Sequence, residues 1–189
     1  MSKLEIRFAG SGGQGLILSG RLLFQAVVLD GKRAAQSQSY EPTSRGGFCN
    51  SDLVVADREV DYPLVTAIDY LIALDQIGVA PSAAMMAPGA LVLTDARLVP
   101  EPPEGDITLH QLPFTDEAIA LGSHRAANVV ALGTLVGLSG ICDRQAVGEA
   151  VREGTPKAFL DLNLEALRRG FEMADELDQG EPDGKVVRL

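Results

Sequence analysis

Residues 4–9, Leu-Glu-Ile-Arg-Phe-Ala, alternate apolar and polar positions and predict a β-strand. The strand runs directly into Gly10-Ser11-Gly12-Gly13-Gln14-Gly15. Residues 16–30 then carry Leu18, Leu22, Leu23 and Ala26 at helical spacing, with Gly31 placed as a C-terminal stop. Strand, glycine loop and helix in that order are the opening of a βαβ unit. Further strands are expected near residues 33–37, over residues 48–56, and over residues 89–95. Residues 69–74 are mostly apolar and suit a central strand buried on both faces. A helix is expected around residues 79–86, a proline- and glutamate-rich surface loop at residues 100–105, and a strand-to-loop segment at residues 107–110.

The second half of the chain reads as helical. Asp116 caps or leads a short helix to Leu121. Residues 126–138 are rich in small residues and apolar all round, which predicts a buried helix; residues 143–153 and 156–177 complete the set. Alternating strands and helices argue for an α/β fold, a three-layer α/β/α Rossmann-like arrangement with a parallel-dominated sheet. The expected organisation is one domain over residues 1–177 and an acidic C-terminal tail over residues 178–189.

Composition narrows the partners. The 189 residues are 46% hydrophobic, enough for one core. Sixteen Lys and Arg against 26 Asp and Glu leave a net charge of −10. Such a chain is poorly suited to neutralising phosphate backbones, so nucleic acid and anionic membrane are not expected partners. Glu172, Asp175, Glu176, Asp178, Glu181 and Asp183 face only Lys185 and Arg188 near the end, as a solvated tail or as an acidic contact for a basic partner. Cys49 and Cys142 are far apart and form no C-x-x-C, so no iron–sulfur or structural zinc site is expected. They read as buried thiols of a cytoplasmic protein. No apolar run reaches the length of a membrane span, and no leader is expected before the first strand.

Gly10, Gly12 and Gly15 satisfy G-x-G-x-x-G between a strand and a helix. Glycines there permit a tight turn and let backbone amides approach a phosphate at the positive helix end. A dinucleotide site would also need an acid at the end of the following strand, where this chain has Gln36, Ser37 and Gln38. Asp30 has the right count but sits at the helix end. Three readings of the loop follow: a turn that packs helix on sheet, a phosphate or partner contact, and a dinucleotide site. The second unusual run is Gln38-Ser39-Tyr40-Glu41-Pro42-Thr43-Ser44-Arg45-Gly46-Gly47. Its Pro and glycines mark irregular backbone, and Arg45 is equipped for bidentate contact with a carboxylate or phosphate. In a doubly wound sheet both loops leave strand C-termini on the same edge.

The pairing of G-x-G-G-Q-G with Q-S-Y-x-P-x-x-R-G-G resembles the gamma subunit, or gamma domain, of the 2-oxoacid:ferredoxin oxidoreductases. The resemblance continues through Pro63, residues 69–74, Asn128-Val129-Val130-Ala131-Leu132-Gly133, Lys157 and residues 163–170. Members of that family act on pyruvate, 2-oxoglutarate, branched-chain 2-oxoacids or indolepyruvate. The resemblance implies an accessory subunit that holds no cofactor alone and is inactive in isolation. Its complex would carry thiamine diphosphate between alpha and beta subunits and iron–sulfur clusters on other subunits, with coenzyme A as co-substrate. Alpha and beta subunits are the implied partners, with a ferredoxin-like delta subunit, ferredoxin at one remove, and a homodimer of the isolated chain as further candidates. The cofactor-binding or interface set is Gly10, Gly12, Gly13, Gln14, Gly15, Gln38, Tyr40, Arg45, Gly46, Gly47 and Asn128.

No catalytic constellation emerges. His110 and His124 read as ordinary surface or packing histidines, and Ser11 lacks the G-x-S-x-G turn of a hydrolase nucleophile. Asn128 is polar in an apolar helix; either its amide ties the helix to a neighbouring loop, or it is a partly exposed residue of the first turn. The rival functional reading is a stand-alone nucleotide- or coenzyme A-binding module.

Overall fold

A computed structural model describes residues 3–41, 46–57, 60, 62 and 64–180. Strands β1 (Leu4–Ser11), β2 (Arg33–Tyr40), β3 (Phe48–Ala56), β4 (Ile68–Ala73), β5 (Met86–Asp95) and β6 (Ile107–Leu112) form a sheet in the order β2-β3-β1-β4-β5-β6. The helices are α1 (Leu16–Leu29), α2 (Val79–Ala83), α3 (Phe114–Ala120), α4 (Ala127–Ser139), α5 (Arg144–Gly154) and α6 (Leu160–Gly180). β1 runs parallel to β4, β4 to β5 and β5 to β6, so the expected parallel-dominated α/β sheet is present.

β3 departs from that pattern. It returns antiparallel and inserts between β1 and β2, opposing Leu4 to Val55 on one side and Arg33 to Ala56 on the other. The β2–β3 ladder runs on to Tyr40 opposite Cys49. Gln38 and Tyr40 therefore stand on a strand, whereas residues 33–37 alone were expected to be extended. α2 is also shorter than expected, because Met86 already belongs to β5.

The pleat sends Ile6, Phe8, Leu53, Val55, Ile72 and Leu93 into a core shared with α1, α4, α5 and α6. Ala9, Val54, Leu71, Ala73 and Val92 line the other face, where Val79 of α2, Met85 and the segments around Val65 and Val99 pack on them. The three layers are thus one thick and one thin. The thin layer suffices to bury the polar positions of β1, with Glu5 at 3% and Arg7 at 7% exposure. Each is satisfied internally. Glu5 accepts from the amides of Thr66 and Ala67 and pairs with Lys3. Burial pushes its carboxyl pKa up, but Lys3 and the amides of Ala67 and Thr66 outweigh that and hold it below the usual range. Arg7 grips Asp52, its opposite on β3, through Nε to Oδ1 at 2.8 Å and Nη2 to Oδ2 at 2.7 Å.

On the thick side, α4 is buried from Ala127 through Val136, as its unbroken apolar character predicts. It lies against α6 through small residues. Thr134 Oγ1 donates to Gly170 O across the contact at 3.1 Å. At the start of α3 the expected cap, Asp116, lies within the first turn and accepts from Arg97 instead. Buried Asp95 takes the Thr115 amide at 2.7 Å. α6 runs to Gly180, three residues beyond the end expected for the domain; residues 181–189, Pro63 and Arg45 lie outside the described residues. Among the described residues, no helix is long and apolar enough to cross a membrane.

Candidate functional site

The glycine loop leaves the C-terminal end of β1 and is held from three directions. The Gly12 amide donates to Gly47 O at 2.9 Å, which joins the two unusual loops. Gln14 accepts from the Ser11 amide at 2.8 Å and donates to Leu74 O at 3.0 Å, which ties the loop to the end of β4. Asn128, 2% exposed, donates from Nδ2 to Gly15 O and to Ser19 Oγ, both at 3.0 Å. Ser19 Oγ returns a bond to the Asn128 carbonyl at 3.2 Å. The amide therefore links the buried helix to the loop, and partial exposure is not its situation.

The positive-φ glycines divide the work. Gly15, at φ 76, caps α1 in the left-handed region, and a Cβ there would lie 2.5 Å from Asn128 Nδ2. Gly13, at φ 103, has open space around the position of a Cβ and is glycine for its backbone alone. α1 begins without a side-chain cap, so the free amides of its first turn remain available to a polar group from outside.

On two sides of Gly13 are clefts. One, about 230 Å³, is lined by Gly15, Asn128, Ser123, Arg125, Phe159 and Asn163 among others. The other, about 120 Å³, touches Gln14, Leu74, Thr115 and His124, and shares Gly13 and Arg125 with the first. Arg125 is exposed and makes no ion pair with any described residue, whereas Arg7, Arg97, Arg144, Arg168 and Arg169 each hold a carboxylate. In an acidic chain, an unpaired guanidinium beside free helix amides is a place for an anion. A larger hollow of about 400 Å³ lies under residues 100–105. Its polar side chains are the carboxylates Glu101 and Glu104, which offer an anion nothing.

The first cleft is smaller than the roughly 300–1,000 Å³ of sites that enclose a whole ligand. It can take a phosphate or one end of a larger molecule. A dinucleotide fares worse, because β3 separates β1 from β2. The strand end that would carry a ribose-binding acid beside β1 is displaced by one position in the sheet. The thiols offer no nucleophile: burial pushes Cys142 up to about 12 and raises Cys49 as well.

The structure brings Gly10, Gly12, Gly13, Gln14, Gly15, Gly46, Gly47 and Asn128 into one neighbourhood. Gln38 and the 65% exposed Tyr40 lie on the outermost strand instead. Ser123, Arg125, Phe159 and Asn163 were not picked out from the sequence. Ser123 and Arg125 come from a short turn that Ser123 caps, Phe159 from one opened by Pro156, and Asn163 from the first turn of α6. A cap serine before a basic pair was the signal available. Replacing Asn128 by Leu is expected to cost about 1–3 kcal/mol, since it strips partners from Ser19 Oγ and the Gly15 carbonyl. A thermal melt checks this, and a midpoint equal to wild type would refute the clamp.

A model of the family described as pyruvate ferredoxin/flavodoxin oxidoreductase matches residues 5–173. Subunit KorC of 2-oxoglutarate synthase from Methanocaldococcus jannaschii is 39% identical over 179 residues, covering 92% of this chain and 95% of that protein. Among solved structures, the gamma subunit of a keto/oxoacid ferredoxin oxidoreductase from Geobacter sulfurreducens superposes with a TM-score of 0.85 at 39% identity. That match covers 93% of this chain and 98% of the other. The 2-oxoglutarate:ferredoxin oxidoreductase of Magnetococcus marinus, solved with 2-oxoglutarate, coenzyme A and succinyl-CoA, shares the fold at a TM-score of 0.83. At 23% identity it covers 96% of this chain and 32% of that one.

Proposed function

The chain belongs to the pyruvate ferredoxin/flavodoxin oxidoreductase family, and from that membership we propose that it is the gamma subunit of a 2-oxoacid:ferredoxin oxidoreductase with 2-oxoglutarate as the oxoacid. One observation carries the reading: sequence and fold agree, over nearly the whole of both chains, with proteins that are themselves separate subunits of such enzymes. In this reading alpha and beta subunits hold thiamine diphosphate between them and iron–sulfur clusters sit on other subunits, including a ferredoxin-like delta subunit, in the cytoplasm. The gamma chain contributes the glycine-loop edge to the subunit interface.

Coenzyme A is the anionic ligand this edge suits. Its phosphates match Arg125 and the first-turn amides of α1, and the small cleft accounts for one end of the molecule, with a partner subunit enclosing the rest. The sequence offers Arg45, in the run that leads to Gly46 and Gly47, as a second candidate guanidinium.

The test is oxoacid- and coenzyme A-dependent viologen reduction by co-expressed alpha and beta partners, with and without this chain. Strong dependence on the chain, with 2-oxoglutarate preferred over pyruvate, is the expected outcome. Equal rates in both preparations would reduce the chain to an assembly factor. Arg45→Ala and Arg125→Ala should each raise KM for coenzyme A about tenfold, the loss of one charge-assisted contact. Loss of assembly at unchanged KM would leave only the interface role. Tight binding of NADH, FAD or AMP by the isolated chain in calorimetry would instead favour a stand-alone nucleotide module.

A further inference from the structure

β2 closes one end of the sheet. Its inner side is taken by β3, where the Glu41 amide donates to Phe48 O at 3.0 Å in register with Tyr40 opposite Cys49. Hydrogen-bonding positions alternate along an antiparallel pair. The odd-numbered residues of β2 therefore turn their backbone N–H and C=O toward β3, and Ala34, Gln36, Gln38 and Tyr40 turn theirs outward. Arg33–Tyr40 contains no proline, lysine or bulge, three of the features that blunt an edge. Among the described residues its outward ladder is unpaired, and it is carried mostly on small and polar residues.

We infer that this edge joins two copies of the chain, β2 against β2 and antiparallel, across a two-fold axis at Ser37, making one continuous sheet. The inference is independent of the subunit role. Geometry selects the register. Opposed residues of an antiparallel pair lie on the same face, so the axis passes through a residue and not between two. An axis at Ser37 opposes Ala34 to Tyr40 of the second copy and Gln36 to Gln38 of the second copy. Every outward N–H and C=O from Ala34 to Tyr40 then has a partner. An axis at Gln36 would oppose Tyr40 to Lys32, outside the strand, and leave its groups unmet.

Charge selects the same register. The Ser37 axis places Arg33 opposite Glu41 of the second copy. Neither side chain has an ion-pair partner among the described residues of its own chain. Two salt bridges thus flank the join, which matters for a chain whose net charge of −10 opposes self-association. Tyr40 meets Ala34, a residue small enough to leave its ring room.

Sedimentation velocity on the purified full-length chain tests the inference, with a dimer expected at tens of micromolar. Arg33→Glu, which opposes like charges twice, should weaken the dimer at least about tenfold in Kd, and adding Glu41→Arg should restore it. Ser37 faces itself in a non-hydrogen-bonded pair, where Cα atoms are about 4.5 Å apart, within disulfide reach. Ser37→Cys should therefore cross-link under mild oxidation, and Ser39→Cys, which faces Ala35, should not. A monomer at all concentrations overturns the inference. So does a dimer that ignores the charge reversal and cross-links equally at both positions.

Discussion

Asp52→Ala is expected to destabilise the protein by about 3–5 kcal/mol, the largest loss among the substitutions considered. Asp52 and Arg7 face each other across β1 and β3, 6% and 7% exposed, with two hydrogen bonds of 2.7–2.8 Å. The remaining contacts of the guanidinium are weak, a 3.4 Å approach to Pro81 O and another to Met85 Sδ. Removing the carboxylate leaves a charge that neither water nor those atoms can satisfy. The pair is not thereby a large net source of stability, because taking two ions from water is itself costly. Arg7→Met combined with Asp52→Leu should come within about 1 kcal/mol of wild type or exceed it. Urea titrations of the single and double variants decide the matter. A single variant as stable as the double one would mean that water reaches the pair.

Gly170→Ala is expected to lose about 3 kcal/mol, read as a fall of about 6–12 °C in Tm. A Cβ at Gly170 would stand 2.8 Å from Thr134 N and closer still to the Val130 carbonyl, and one at Gly133 would stand 2.5 Å from Leu167 O. These are backbone atoms of helices fixed by their own ladders, so the clash is relieved only by moving α6 off α4. That separation would also break the Thr134 bond to Gly170 O. Gly148→Ala in α5 is the control. Its Cβ would meet only Arg152 Nη1 at 3.5 Å, and the helix should gain up to about 1 kcal/mol from alanine's better propensity. Opposite signs are expected from the same substitution, and a tolerated Gly170→Ala would show that the helices do not approach so closely.

Much of this fold is legible along the chain, because side-chain period reports local conformation. Strand β1, the glycine turn and α1 follow from alternation, glycine and helical spacing in succession. α4 follows from having no polar face at all, and Asn128 stands out against that background. What periodicity does not encode is which strand neighbours which. Phe48–Ala56 has the same pattern whether it runs parallel at the centre or antiparallel between β1 and β2, so its insertion, and the extension of β2 to Tyr40, came only from the structure. Glu5 and Arg7 look like a solvent face and are buried, because their partners Thr66, Ala67 and Asp52 are 45 or more positions away. The site divides the same way. Its glycines are a contiguous motif, while Ser123, Arg125 and Phe159 reach it from turns, and Asn163 from the start of α6, that only the packing of α4 and α6 brings together.

The clamp on the glycine loop also bears on synthesis. Gly15 leaves the ribosome early, but the amide that fixes it belongs to a residue 113 positions later, and Leu74, which holds Gln14, comes 60 positions later. A nascent chain has both halves of the G-x-G-x-x-G turn long before it has the means to set them. The turn is therefore set late in folding, after α4 has emerged, and an incomplete chain lacks the clamp that fixes it.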